Sequence, residues 1–579
     1  MNNLNKFFPA LFWSSLLFII VKYMCHPIHE PDIWGHLAAG RYMYEHRQLL
    51  HSDVFSHSLY GADCINFEWL TQVLLYLTTR WMGLQGAYFS KVLLGLSACG
   101  ICMYFSRKQG IKGPLYFLLM WASFHIMQVR LCARMELVTL NLMGIFMALI
   151  LAVRKSEKLR SISPWIFAGL TILWVNMHVG FIYGLGLLVS VAIGARWAKS
   201  DKTLITAFDR AILYSFIGTL INPYGFNIYR IFIEHLKSFH QYSPSFIQEF
   251  TPSTIQAAPY FWLAYVATLI MIIYLFARRN HFFVFFLPAL LLFALYGSPY
   301  LRATALFTFP FVGFFSETAA MLHSSRLVRW LQGEENSWGW ALCVIPLLID
   351  IRFFTMPLPK NIVDETVYPV GACDFVKKNG LQGRMHNPLG YGGYIDWALG
   401  PDWKVFVDGR YIFYPILVEE QKILNCPRQS FNESAWKTFF DRYGIDYAIE
   451  RFDDVPLLSK NDFLRFRSVL SFMFPKKEWA LVYWDDASLV FLKRVAAFDL
   501  FIKKNEYRYV EPYHPGHTIF LSRQNDEFKN QVLNELRRHN DIGSSFRAGQ
   551  IRRGIIGGMG WEMGSGTINP EGDGTLLTS

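Results

Sequence analysis

Charge is what this chain has least of. Only 17% of its 579 residues are Asp, Glu, Lys or Arg, where an ordinary soluble protein carries about 25%. The shortage falls on the first 355 residues, which are broken into apolar runs of roughly 17–22 residues, the length that crosses a hydrocarbon core. That excludes a simple soluble globule and predicts a polytopic α-helical membrane protein. A small-x-small cleavage site is missing after the first run, "FFPALFWSSLLFIIVKYMC", so that run is expected to stay as a first span. Cysteine is sparse, with eight residues and no metal-ligand spacing. Cys99 and Cys102 form a C-x-x-C, but inside an apolar run, which favours packing over redox chemistry. Of the cysteines outside the spans, Cys373 and Cys426 could form a disulfide. The net charge of +11 would suggest nucleic acid in a soluble protein. Here the basic residues gather in short loops, "RKSEKLR" (154–160), "RWAKSDK" (196–202) and "RRNH" (278–281), as cytoplasmic loops beside anionic lipid do. No nucleic-acid partner is expected.

Candidate spans are 7–24, 67–83, 86–105, 114–130, 135–153, 164–175, 180–197, 203–221, 260–277, 282–297, 301–321 and 338–354, for about 11–13 crossings. With loop 26–66 outside, four full crossings would place "RKSEKLR" outside too, against the charge rule. Either one of those segments is re-entrant or a pair is wrongly split.

The texture changes near residue 356, where charges, Pro and Gly rise. An α/β domain is predicted over 356–525 and a helix with a flexible Gly-rich tail over 526–579. "GACDFVKKNG" reads as a helix ending at Gly380 and "KVFVDGR" as a strand entering a turn. "ESAWKTFFDRYGIDYAIE" reads as helix, Gly break and strand. "EWALVYWDDASLVFLKR" reads as a hairpin with Asp485 and Asp486 at its turn. "NPLGYGGY" lacks the Lys-Ser/Thr ending of a phosphate loop.

Within loop 26–66, "HPIHEPDIWGHLAAGRYMYEH" packs three carboxylates (Glu30, Asp32 and Glu45) and four histidines into 21 residues, with Glu30 and Asp32 beside the proline. Pro31 suits a helix start, with Glu30 just before it and Asp32 just inside, where a carboxylate gains about 0.3–1 kcal/mol from the helix dipole. Trp34, Tyr42 and Tyr44 fit an interfacial belt, so a helix of about 33–46 lying on the membrane with its acids as caps accounts for the spacing. Against that bland account, His26, His29, Glu30, Asp32 and His36 bring five metal-binding or proton-transfer groups together, and a helical 32–36 would put Asp32 and His36 on one face.

Other polar groups stand near membrane ends. Arg130 and Arg134 flank "LCA" and share a face if that segment is continuous helix; phosphate recognition and snorkelling both fit them, as they fit Arg302. Asn176 and His178 interrupt an apolar stretch, where interhelical hydrogen bonds are the plainer explanation. Glu68, two residues after Asn66, suits a helix cap. Asp408, Gly409 and Arg410 suit a turn.

"EPDIWGHLAAGRYMYEH", "DVFSHSL" and "NFEWLTQVLLYL" resemble a group of bacterial multi-pass proteins that carry an Asp-x-Trp-x-His-Leu first external loop and a Glu-Trp-Leu opening the second span. "LWVNMHVGF", "INPYG", "GGYIDW", "VFVDGR" and "VYWDDASLVFLKR" extend the likeness to about residue 510. That group looks like part of the GT-C glycosyltransferase superfamily. The resemblance implies a bacterial inner-membrane enzyme with an extracytoplasmic C-terminal domain. It would move a sugar from a polyprenyl-phosphate donor to a lipid, glycan or protein acceptor among membrane lipids. It implies Asp32 as general base and Glu30 as its partner or a metal ligand; from their own chemistry, Arg130, Arg134, His36, His178 and Arg302 are the candidate substrate-binding groups. A divalent metal, Mg or Mn, is a candidate cofactor. Two departures weigh on the metal: the acids read Glu-Pro-Asp rather than Asp-x-Asp, and "ARME" stands where relatives show Arg-Pro. The competing class is a non-enzymatic transporter or an assembly component of envelope polysaccharide export. A transporter calls for ionisable residues in mid-span; Lys91, Glu317 and Asp350 come nearest.

Overall fold

A computed structural model describes residues 4–234, 251–333, 337–357, 361–424, 433–452, 468–540 and 545–556. The chain divides into two compact units. The first comprises 1–55, 59–364 and 409–418, and the second 56–58, 365–408 and 419–579.

The first unit is helical. Its leading elements are α1 (Leu4–Met24), α2 (Asp32–His46), α3 (Trp69–Met82), α4 (Leu84–Lys108), α5 (Gly113–Met127), α6 (Glu136–Lys155), α7 (Glu157–Met177), α8 (Phe181–Trp197) and α9 (Lys202–Thr219). Helices Pro259–Ala277, Leu287–Gly297 and Thr308–Met321 follow. Segments Phe7–Met24, Leu84–Lys108, Glu136–Lys155 and Pro259–Ala277 are long and apolar enough to cross a membrane, among the described residues. The polytopic helical architecture expected from the apolar runs is therefore what the chain adopts. Helix α6 is the hub: Leu140, Met143, Phe146, Met147 and Ile150 are buried in one continuous apolar core with residues of its neighbours.

Three local expectations change. "RKSEKLR" is not a loop: α6 runs to Lys155, and only Ser156 separates it from α7, its Oγ accepting from Leu159 N at 3.4 Å. The segment 128–135 is not continuous helix. A 3-10 turn (Gln128–Arg130) ends α5, and the chain stays non-helical to Glu136. Trp34 does not join an interfacial belt; it is 1% exposed in the interior.

The ionisable groups nearest mid-span are paired. Lys91 Nζ donates to the His26 carbonyl at 2.5 Å. Glu317 pairs with Arg154. Asp350 Oδ2 accepts from Trp121 Nε1 at 2.8 Å, with His125 Nε2 at 3.1 Å.

The second unit holds a four-stranded sheet in the order β1-β2-β4-β3. β1 (Met385–His386) runs parallel to β2 (Tyr447–Arg451), β2 is antiparallel to β4 (Ser488–Lys493), and β4 forms the hairpin with β3 (Trp479–Trp484). Asp485 makes the hairpin turn by accepting from Ala487 N and Ser488 N at 2.8 and 2.6 Å. Tyr447, Ile449, Val490 and Leu492 bury against helices Val370–Lys378 and Leu389–Leu399. Gly444, with φ +64°, makes the break between helix Glu433–Tyr443 and β2. "KVFVDGR" departs from expectation and is no sheet strand. Asn387 takes its place in the hydrogen bonding, accepting from Phe406 N at 2.8 Å and donating to the Val407 carbonyl at 2.9 Å. Within the Gly-rich tail, Phe546–Ile556 is helical, its start held by Asp486, which accepts from Ser545 Oγ, Phe546 N and Arg547 N. Residues 557–579 lie outside the described residues, as does Cys426; Cys373 is a buried free thiol.

Candidate functional site

The site is built on the first turn of α2. Pro31, at φ −67°, is the residue from which the helix starts, so Asp32 stands at the positive end of the helix dipole. The helix is pinned from behind by close packing on α3. A β-carbon at Gly40 would lie 2.2 Å from the Gln72 carbonyl oxygen, so only glycine lets the two backbones approach.

Arg134 reaches across from the loop before α6. Its Nε and Nη2 each lie 2.6 Å from Glu30 Oε2, and Nη2 lies 3.8 Å from Asp32 Oδ2. Arg130 pairs with Glu136 at the start of α6. The two arginines are thus held by separate carboxylates. Both, with Arg302 on the 3-10 turn Leu301–Phe307, act on the Asp32 carboxyl. Asp32 keeps 40% of its side-chain surface accessible, yet burial of the carboxyl among its neighbours raises its pKa above the usual 3.8. Arg134 opposes that rise and Glu30 adds to it.

A second carboxylate lies near enough to Asp32 to interact with it. Glu68 does not cap α3 with its side chain, as the spacing suggested. Its Oε1 lies 3.4 Å from His178 Nε2 and its Oε2 3.4 Å from His36 Nδ1. Asp32 and Arg302 are both close enough to act on it electrostatically. His178 is held in one tautomer. Gly180 N donates to Nδ1 at 3.0 Å, so Nε2 carries the proton and presents it to Glu68. Thr139 Oγ1, 2.7 Å from Nδ1, is itself fixed by a bond from Trp174 Nε1 at 3.1 Å. Burial pushes His178 down to about 3, so the ring is neutral. His36 meets Gln72 Nε2 at 3.1 Å and faces Glu68.

Asn176 is structural: it accepts from Trp69 Nε1 at 3.0 Å and donates to the carbonyls of Ile172 and Ile221. The histidines of the loop disperse. His26 Nδ1 meets the Tyr23 carbonyl at 2.5 Å, and His29 faces Asp364 at 3.5 Å. Among the described residues the loop's five donors form no three-donor cluster. Arg134 stands where a divalent ion bridging Glu30 and Asp32 would stand, so the residues present do not fit a resident Mg or Mn at that point.

The strongest unforeseen contribution comes from 409–418. A β-carbon on Gly409 would lie 2.9 Å from Asp32 Oδ1, and the Tyr414 hydroxyl is close enough to Asp32 and Arg302 for both to act on it. Arg410, read as part of a turn, pairs with buried Asp53 at 2.6 Å and lies over the Phe55 ring. No spacing rule links positions 32 and 409. The only cue was a glycine standing beside two charges in "VFVDGR".

No family model and no curated protein matches the sequence. Solved structures do. The apo oligosaccharyltransferase of Archaeoglobus fulgidus aligns over 77% of this chain and 69% of its own, at 11% identity and TM-score 0.51. The same archaeal enzyme tethered to an acceptor peptide aligns over 84% and 74%, at 10% identity and TM-score 0.51. A third structure, in complex with an inhibitory peptide and a dolichol-phosphate, aligns over 77% and 69%, at 12% identity and TM-score 0.50. The likeness is one of fold: this chain shares the fold of these archaeal oligosaccharyltransferase structures.

Proposed function

We propose that this chain is a membrane glycosyltransferase that transfers a sugar from a polyprenyl-phosphate donor to a lipid, glycan or protein acceptor on the extracytoplasmic side of a bacterial inner membrane. The observation that carries this is Asp32: a solvent-reachable carboxylate of raised pKa, at a helix start, with three arginines acting on it. In the proposed reaction, the acceptor hydroxyl attacks the anomeric carbon and its proton passes to Asp32. The bond from that carbon to the donor phosphate oxygen breaks, and the lipid phosphate leaves with the electron pair. Arg134, Arg130 and Arg302 supply the positive charge that a departing phosphate needs, a task suited to guanidinium forks and requiring no metal in the loop. Glu30 is a positioning residue, aiming Arg134. His36 and His178 orient Glu68 opposite Asp32. An oligosaccharyltransferase of similar fold binds dolichol-phosphate in one structure and an acceptor peptide in another, which supports a lipid-phosphate leaving group here.

The test is to express Asp32→Asn at wild-type level in a strain lacking the protein and to follow labelled sugar into surface glycans. Loss of incorporation supports the proposal. Incorporation equal to wild type would sink it.

A further inference from the structure

The second unit contains a group of side chains that the proposed transfer reaction does not use. Glu511, His514 and His517 occupy the turn "EPYHPGH" that opens helix Pro515–Gln524. From these we infer that the unit carries a binding site for a transition-metal dication of the zinc class. The three donor atoms lie within 4.8 Å of one another, and among the described residues no other trio of such donors does. Glu511 Oε2 is 3.0 Å from His517 Nδ1 and 3.7 Å from His514 Nδ1. Four-coordinate zinc with bonds of about 2.0–2.2 Å sets neighbouring donors about 3.3–3.6 Å apart, between those two distances.

The backbone organises the set before any ion arrives. Glu511 N donates to Thr518 Oγ1 at 3.1 Å, folding the carboxylate back over the first helical turn. His514 is the residue preceding the helix and His517 lies within its first turn, so the rings stack with centroids 5.0 Å apart. Lys476 Nζ holds the other carboxylate oxygen, Oε1, at 2.6 Å, which leaves Oε2 to act as a single-oxygen ligand. His517 is 41% exposed, so the site opens to solvent on one side and a water completes the coordination. Two imidazoles with one carboxylate suit zinc, cobalt or nickel rather than magnesium or calcium. Binding at His517 Nδ1 needs the tautomer protonated on Nε2, so a proton on Nδ1 is relayed through water to Nε2 as the metal–nitrogen bond forms.

The probe is cobalt(II), added to the metal-stripped, full-length protein in detergent and followed by the visible bands of its four-coordinate state. One equivalent should bind and be displaced by zinc. Glu511→Gln and His517→Ala should each weaken uptake by at least the ~10–100-fold that loss of a supporting hydrogen bond costs a metal site. His517→Ala removes an exposed ring, and an unchanged melting temperature shows that the fold survives. Failure of the wild type to take up cobalt would overturn the inference. So would equal uptake by the His514→Ala/His517→Ala double variant, which would place the metal among other histidines.

Discussion

Replacing Arg134 with Gln removes the cation nearest Asp32 without changing the packing volume much. At 3.8 Å, two unit charges interact by about 1 kcal/mol at the dielectric of water and about 4 kcal/mol at an effective value of 20. Asp32 is 40% exposed, so solvent screening places the pair towards the lower limit, at about 1–2 kcal/mol. At about 1.4 kcal/mol per unit, the Asp32 pKa should rise by about one further unit. Glu30, deprived of the same partner, pushes in the same direction. A general base must be deprotonated to act, so activity falls as pH drops through its pKa. The acid limb of the pH–rate profile for sugar transfer should therefore move about one unit towards neutrality in Arg134→Gln. Arg134→Lys should move it less. An acid limb that stays in place, or moves to lower pH, would refute the placement of Arg134 beside the base.

His386 gives a pH effect in the second unit. Burial alone would lower its pKa, but Glu450 at 2.5 Å and Glu420 at 3.6 Å outweigh it and hold the ring up at about 9 rather than 6.5. Its stabilising contribution is complete below about pH 6.5 and fades as pH rises through about 9, which thermal unfolding across that window checks. His386→Leu should cost about 3 kcal/mol at neutral pH by leaving Glu450 buried without its cation, and chemical denaturation will measure it. Gly40→Val should destabilise the fold by about 3 kcal/mol, seen as a sharp fall in melting temperature, because its β-carbon cannot coexist with the Gln72 carbonyl. His178→Ala leaves Glu68 without the neutral donor that orients it. Turnover should fall more than donor affinity, as steady-state kinetics would show.

The start of α2 was legible because its signals are local: a proline, a carboxylate on either side and an apolar face. The hairpin around Asp485 and the helix–Gly444–strand unit were legible for the same reason. What failed depended on distant partners. Nothing near "VRLCARME" breaks a helix; the break is accompanied by ion pairs of Arg130 with Glu136 and of Arg134 with Glu30, the latter 104 residues away. "KVFVDGR" has strand composition, yet the side chain of Asn387 satisfies its backbone in place of a ladder. Trp34 looked interfacial because aromatic residues at a membrane boundary have the same composition whether they face lipid or core. The position of Glu68 in the sequence suits a cap and carries no trace of His178 or of Asp32. Gly409 illustrates the limit most clearly, since its bearing on Asp32 spans the loop and every helix between.

The central claim is that Asp32 accepts the proton of the attacking acceptor. The most direct measurement uses the purified protein in lipid nanodiscs with a radiolabelled polyprenyl-phosphate sugar, following release of the lipid phosphate together with donor binding. Asp32→Asn should bind the donor as the wild type does and transfer sugar about 10²–10⁴-fold more slowly, the usual contribution of a general base. Transfer at the wild-type rate with donor binding intact would contradict the account.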